Sequence, residues 1–462
     1  MQGNLSFATE SGDTTSKFDD DGRPKRTGTL TTASAHIITA VVGSGILSLA
    51  WAIAQLGWIA GVFTLVIFSI ITLYTSALLA NCYRSPDPIT GRRNYTYIEA
   101  VKSNLGGLKY KLCGVAQYTN LVGLTIGYTI TSAISMAAIK RSHCFHKSGH
   151  EVGCHTSNNP YMILFGIVQI ILSQIPKFHD LAVLSYIAAI MSFSYAFIGI
   201  GLSAARIAEG KTGKTSIAGM TAGVGESSSQ KAWNSLQAIG NIALAYSYSN
   251  VLIEIQDTLK SSPPETLVMK KATTVAVSIT SIFYMLCGVL GYAAFGNNAP
   301  GNFLTGFGFY EPYWLIDIAN ICIVVHLVGA YQVFCQPIYQ LVEEWLSRRG
   351  AGSDLVAKEH PIVLRLIWRT GYVIITCVIA MIFPVFNSVL GLIGALSFWP
   401  LTVYFPVEMY ISQAHIRKFS PTWIWLNILT WACLIIALAA AAACVQGIIV
   451  ELNHYQPFNS FS

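Results

Sequence analysis

Long apolar runs separated by short polar segments dominate the chain from residue 32 onward. A helix needs about 20 apolar residues to cross the roughly 30 Å hydrocarbon layer of a bilayer. Eleven runs meet or approach that length: Thr32–Gln55, Trp58–Cys82, Leu112–Ile139, Tyr161–Ile175, Leu181–Ala205, Leu236–Ile255, Thr273–Ala294, Tyr313–Leu341, Ile362–Phe383, Ser388–Tyr410 and Trp423–Val445. The fourth is short and bracketed by Pro160 and Pro176. Unpaired backbone groups are costly in lipid, so such runs are expected to be helices. The pattern predicts an all-α polytopic membrane protein with eleven transmembrane helices. Around them it predicts a cytosolic tail over 1–31, an extracellular loop over 206–235 and an extracellular C-terminal tail after the eleventh span, within 411–462.

Two spans carry an interruption. The first holds Val42-Gly43-Ser44-Gly45 at its centre, and the sixth holds Ala245-Tyr246-Ser247-Tyr248-Ser249-Asn250 inside an otherwise apolar helix. Transporters often bind substrate where helices break near mid-membrane at matching positions of two repeats. An offset of five spans is odd, so the two spans cross in opposite directions. That predicts a five-plus-five inverted repeat, spans 1–5 over 32–205 and spans 6–10 over 236–410, with one helix added. Unwinding frees amide N–H groups at the start of the next half-helix, where the dipole also favours an anion. A substrate α-carboxylate suits those amides and an ammonium group suits the carbonyls ending the preceding half-helix, with Val42, Gly43, Ser44, Gly45, Ala245, Tyr246 and Ser247 as the candidate binding residues. Close helix packing through small residues is the competing explanation of the glycines. Neither break carries a charged side chain, which points to neutral zwitterionic substrates.

Charge fixes the orientation. With the N-terminus inside, 21 of the 28 Lys and Arg residues fall in cytosolic segments, which is the positive-inside pattern. Only 11% of residues are charged and 53% are hydrophobic, a membrane composition. The net charge of +6 is spread between apolar runs and gathers into no basic patch, so no nucleic-acid partner is expected. The polar, acidic stretch Met1–Asp21 has no apolar core and does not read as a signal peptide. Both glycosylation sequons, at Asn4 and Asn94, fall in expected cytosolic segments. Cys144 and Cys154 share one expected extracellular loop and are expected to form a disulfide. His143, His146, His150 and His155 nearby offer zinc as the alternative.

Ionisable groups within a span are functional candidates by default. His36 lies one to two turns before the first break, and His326 lies mid-way along the eighth span. Histidine changes charge near pH 6.5, so both are candidates for proton coupling; a neutral, hydrogen-bonded structural imidazole is the alternative for each. Sodium sites need several oxygen ligands, and no carboxylate stands beside the first break. Glu254 and Asp257, three apart near the inner end of span 6, are candidate gate residues able to pair with Lys or Arg. Asn120 is a candidate pocket residue, with Tyr331 and Gln332 in the same role or in interhelical contacts. Asp317 reads as an interfacial helix-start carboxylate.

Several segments together resemble one family. Thr27-Gly28-Thr29, Ala35-His36, Gly43-Ser44-Gly45 and Leu49-Ala50-Trp51 look like the opening of plant amino acid permeases. So do Leu252-Ile253-Glu254-Ile255-Gln256-Asp257-Thr258-Leu259, Gly329-Ala330-Tyr331-Gln332-Val333, and the run from Phe398 to Pro406. The resemblance, to the amino acid/auxin permeases, covers nearly the whole chain from residue 27. It implies the inverted-repeat fold, proton symport at the plasma membrane, and uptake of neutral and sometimes acidic amino acids. It implies no cofactor other than the coupling proton; amino acid, protons and membrane lipid are the expected partners, and a monomer is the expected working unit. Auxin carriage is the runner-up within transporters, and a receptor that kept the fold is a further alternative. A channel should show a filter-like segment or rings of charge, and the sequence has neither. Asn241 is a departure, standing where many relatives carry an aspartate.

Overall fold

The computed structural model describes residues 25–149, 154, 156–175, 182–220, 227–307, 312–350 and 361–454. Helices stand at each of the positions the apolar runs mark. Eight helical segments among the described residues are long and apolar enough to cross a membrane by length and composition. One of these, Ser44–Asn81, joins the outer half of span 1 to span 2. Gly57 divides the two with φ 81° and ψ 177°, and a Cβ there would stand 2.6 Å from the carbonyl carbon of Ala218. Only a residue without a side chain turns the chain at that point. The shorter apolar helices Leu30–Val41 and Asn159–Ser173 belong to spans 1 and 4.

The helices outrun the hydrophobic signal where polar turns continue them. Span 6 starts at Ser228, capped by Ser227, whose hydroxyl accepts from the Gln230 amide at 3.2 Å. Eight residues of the expected loop are therefore helix. A cap and a polar first turn hold helical geometry without apolar side chains, so hydropathy misses them. Span 3 runs from Gly107 to Ser148 and span 8 from Tyr313 to Gly350, each continued by polar turns beyond its apolar run. A short helix, Tyr97–Asn104, lies in the segment between spans 2 and 3, capped by Thr96 and burying Tyr97, Ala100 and Val101.

Packing follows the two-repeat reading. Span 2 lies on span 7, with the Ser69 and Ser281 hydroxyls 2.7 Å apart; span 3 lies on span 8, and span 4 on span 9. Span 3 meets span 10 as span 8 meets span 5. A twofold exchange of spans 1–5 with spans 6–10 leaves this pattern. Large apolar side chains such as Ile70, Ile367 and Ile435 are exposed around the outside, the face a bilayer covers.

Cys144 and Cys154 are joined, with Cα atoms 5.9 Å apart. The adjacent His143 Nε2 lies 2.7 Å from an Asp317 carboxylate oxygen, and His146 stacks on Tyr313 at 4.3 Å between ring centroids. These contacts tie the end of span 3 to the start of span 8. His150 and His155 lie outside the described residues. The other eight cysteines are buried. A membrane-impermeant maleimide should therefore leave the unreduced protein unlabelled at Cys144 and label it after mild reduction. Labelling of Cys144 before reduction rejects the bond.

Candidate functional site

The helix Leu30–Val41 stops where Val42 and Gly43 leave helical geometry. A 3₁₀ turn, Ser44–Ser48, follows before the α-helix resumes at Leu49. Span 6 repeats the arrangement: helix to Ala245, then Tyr246–Tyr248, a 3₁₀ turn Ser249–Val251, and the short helix Leu252–Gln256. The two breaks touch. A Cβ placed on Gly45 would stand 3.0 Å from the Ala245 Cα and 3.3 Å from its amide nitrogen. The glycines thus serve close approach and the break together; the packing and binding explanations of Gly43-Ser44-Gly45 do not exclude one another.

Unwinding frees carbonyls, and hydroxyls from spans 5 and 7 meet them. The Ser192 hydroxyl donates to the Val42 carbonyl at 3.1 Å, and the Tyr195 hydroxyl to that of Gly43 at 3.1 Å. The Tyr284 hydroxyl lies 2.5 Å from the Val41 carbonyl and 2.9 Å from that of Ala245, so it bridges the two broken spans. Buried backbone acceptors require such partners. Sequence reasoning missed all three residues. The Ser44 and Gly45 amides open the 3₁₀ turn, which has no side-chain cap. Such amides have no carbonyl one turn back.

His326 is the imidazole at this place. Its Nε2 lies 3.9 Å from where a Gly43 Cβ would stand. Its Nδ1 lies 3.0 Å from the Ala188 carbonyl and 2.8 Å from the Ser192 hydroxyl. A carbonyl only accepts, so Nδ1 carries the hydrogen and Nε2 presents a lone pair towards Gly43. Ser192 links the imidazole to the Val42 carbonyl. Tyr128 also borders Gly43, its hydroxyl 3.9 Å from the same Cβ position.

The remaining candidates are distributed differently. His36 is half-buried, seven residues before Gly43, which is about 10 Å along a helix at 1.5 Å per residue. Tyr246 turns towards span 7, its hydroxyl 3.2 Å from Ser281 and its ring 5.3 Å from Tyr284. Ser247 faces span 10, 3.1 Å from the Ser397 hydroxyl. Asn120 is buried and lines a separate cavity between spans 3, 9, 10 and 11. Its neighbour Gln117 is the span 3 side chain that reaches the sixth-span break, donating to the Asn250 carbonyl at 3.3 Å. Tyr331 bonds Thr376 of span 9, and Gln332 bonds Gln169 and Ser173 of span 4, so both make interhelical contacts.

At the inner end, the two candidate gate carboxylates bond groups from the segment after span 2. Glu254 accepts from the Tyr97 amide at 3.0 Å, and Asp257 accepts from the Tyr83 hydroxyl at 2.6 Å. The short helix Tyr97–Asn104 supplies the amide that meets Glu254. Two arginines meet on Glu265 of span 7: Arg26 at 2.9 Å and Arg84 at 2.6 Å. Gly28 pairs by backbone with Thr258 and Lys260, at 2.9 and 3.1 Å. These contacts clasp the inner ends of spans 1, 2, 6 and 7 together.

Comparison with known proteins gives consistent matches. A family model described as transmembrane amino acid transporter protein matches residues 26–450. The chain is 62% identical to amino acid permease 6 of Arabidopsis thaliana, covering 98% of this chain and 96% of that protein. It is 60% identical to amino acid permease 1 of the same plant, covering 97% and 95%. Among solved structures, MhsT in complex with L-phenylalanine is similar at a TM-score of 0.47 and 12% identity, over 92% of this chain and 100% of that one.

Proposed function

The chain belongs to the transmembrane amino acid transporter family, and from that premise we propose that it is a proton-coupled symporter importing neutral, and also acidic, amino acids across the plasma membrane. It is a multi-pass membrane transporter of amino acids and not an enzyme.

The observation that carries the coupling proposal is the convergence of the first break and the His326 imidazole. The Ser44 and Gly45 amides offer an anion site of α-carboxylate size. The Nε2 lone pair facing Gly43 can receive a proton. The freed carbonyls of Val41, Val42 and Gly43 each accept from a protein hydroxyl, so the unwound backbone is held in place beside the imidazole. Proton symport follows if protonated imidazole and bound substrate favour the same conformational states, since a ligand with equal affinity for both states shifts nothing.

The test is substrate-evoked current under voltage clamp at two external pH values. The proposal expects an inward current that grows as external pH falls and persists when sodium is replaced. A sodium-dependent current indifferent to pH overturns proton coupling. A current evoked by auxin and not by amino acids overturns the substrate.

Orientation rests on the 21-to-7 distribution of Lys and Arg. It places the N-terminus in the cytosol and Ser462 outside. An epitope tag after Ser462 should label on intact cells, while one in the segment 84–111 should need permeabilisation. Equal labelling of both tags on intact cells refutes the eleven-span count.

A further inference from the structure

The inner end of the molecule holds a carboxyl group with no cation beside it. Glu254 sits on the short helix Leu252–Gln256 that ends span 6. One of its oxygens, Oε1, accepts from the Tyr97 amide at 3.0 Å. The other, Oε2, is sealed from water and has no hydrogen-bond partner among the described residues. The charged groups next to it are two more carboxylates, Glu99 and Asp257, and its other titratable neighbours are Tyr97 and Cys113. The cations of this corner have other neighbours. Arg26 and Arg84 meet Glu265 of span 7, and Lys270 of that span stands near Cys82. Span 1 also packs on the short helix, and His36 is the one ionisable residue between Leu30 and Val41.

A carboxylate oxygen shut away from water and from any donor is costly as an anion. The neutral carboxyl leaves only one O–H unmet, at about 1–3 kcal/mol. The closed arrangement therefore favours the protonated form. The contacts that seal Glu254 are also those that close the inner end. The Tyr97 hydroxyl donates to the Leu401 carbonyl at 2.7 Å, which anchors the short helix Tyr97–Asn104 on span 10. Gly28 pairs by backbone with Thr258 and Lys260 just beyond Glu254. Once these contacts part, water reaches the carboxyl group, and a hydrated glutamate is ionised at cytosolic pH. We propose that Glu254 is a proton-operated latch on the inner end. Its Oε2–H bond is present while that end is closed; on opening the bond breaks and the proton passes to cytosolic water. The two states bind the proton unequally, so cytosolic pH shifts the equilibrium between them. Acid holds the inner end shut and slows release of substrate, and a rise in pH favours opening. The latch works in this way whichever group carries the coupled proton.

Inside-out membrane vesicles containing the full chain with Leu259→Cys are treated with a membrane-impermeant maleimide. Leu259 is 1% exposed in the closed inner end, so its labelling rate reports opening. Thr27→Cys, at an exposed position of the same cytosolic corner, gives the rate of an accessible thiol at each pH. The ratio of the two rates should rise at least tenfold between about pH 5 and about pH 8. Glu254→Gln is neutral throughout and keeps an acceptor for the Tyr97 amide, so it should hold the ratio low and nearly flat. Glu99→Gln removes a neighbouring carboxylate and should make the rise level off at lower pH, so a folding defect at Glu254 does not decide the result alone. A ratio that ignores pH, or falls as pH rises, overturns the proposal. So does an unchanged rise in Glu254→Gln, or a Glu99→Gln curve that coincides with the parent's.

Discussion

Gly45→Val should abolish amino acid uptake while the protein still reaches the cell surface. A Cβ at this position would stand 3.0 Å from the Ala245 Cα, 3.2 Å from its Cβ and 3.3 Å from its amide nitrogen. Two of these are backbone atoms, which cannot swing aside as a flexible side chain can. Valine adds two methyl groups beyond the Cβ and so forces the two breaks apart. Overpacking of this kind costs about 1–3 kcal/mol, which a large bundle tolerates. A misplacement of about 1 Å at a site that depends on geometry costs on the order of a hundredfold in rate. Uptake should therefore fall by at least about that factor.

Gly43→Ala is the informative contrast. Its Cβ would meet only His326 Nε2 and the Tyr128 hydroxyl, both at 3.9 Å, which is ordinary contact. The fold should accept it, but the methyl group occupies the space between the break and the histidine. Its expected effect is a raised KM with surface expression kept. Radiolabelled uptake and surface biotinylation on both variants check the pair. Normal transport by Gly45→Val would remove the broken-helix site.

The sequence was most legible where burial in lipid leaves a one-dimensional signal. Each apolar run became a helix, and Gly43-Ser44-Gly45 and Tyr246-Ser247-Tyr248 marked both breaks, because polar or flexible residues have few reasons to stand mid-span. Helix ends were less legible. The turn at Ser228 and the helix Tyr97–Asn104 are held by the Ser227 and Thr96 caps, local hydrogen bonds that hydropathy does not register. Least legible were the residues that satisfy the freed carbonyls. Ser192 bonds a carbonyl 150 residues away and Tyr284 one 243 residues away. Nothing local separates them from Tyr331 or Thr376, which bond each other between helices. The separation of His36 from the break was legible, since seven helical residues are about two turns. What the sequence did not reveal is that His326, rather than His36, faces Gly43.

That difference shapes the expected behaviour of the two histidines. His326→Ala removes the Nε2 lone pair beside Gly43 and the Nδ1 hydrogen held by the Ala188 carbonyl. Loss of a buried partner costs about 1–3 kcal/mol, which corresponds to roughly five- to 160-fold in the population of a competent site. Uptake should fall within that range. Alanine alone does not separate a structural role from a titrating one. His326→Asn does, because its amide N–H can keep the bond to Ala188 while it cannot gain a proton near neutral pH. The sign follows from the coupling. External acid protonates an outward-accessible imidazole, so wild-type uptake rises as external pH falls. A site that cannot be protonated loses that rise. His326→Asn should therefore retain measurable uptake with a flattened dependence on external pH. His36, about two turns from the break and half-buried, should lower uptake less when replaced by alanine. Flattening in His36→Ala alone would place the coupled proton on the inner half-helix instead. If both variants reach the surface and keep the wild-type pH dependence and substrate-evoked inward current, neither histidine carries the proton. The coupling site must then be sought among the carboxyl groups of the inner clasp, Glu254 first.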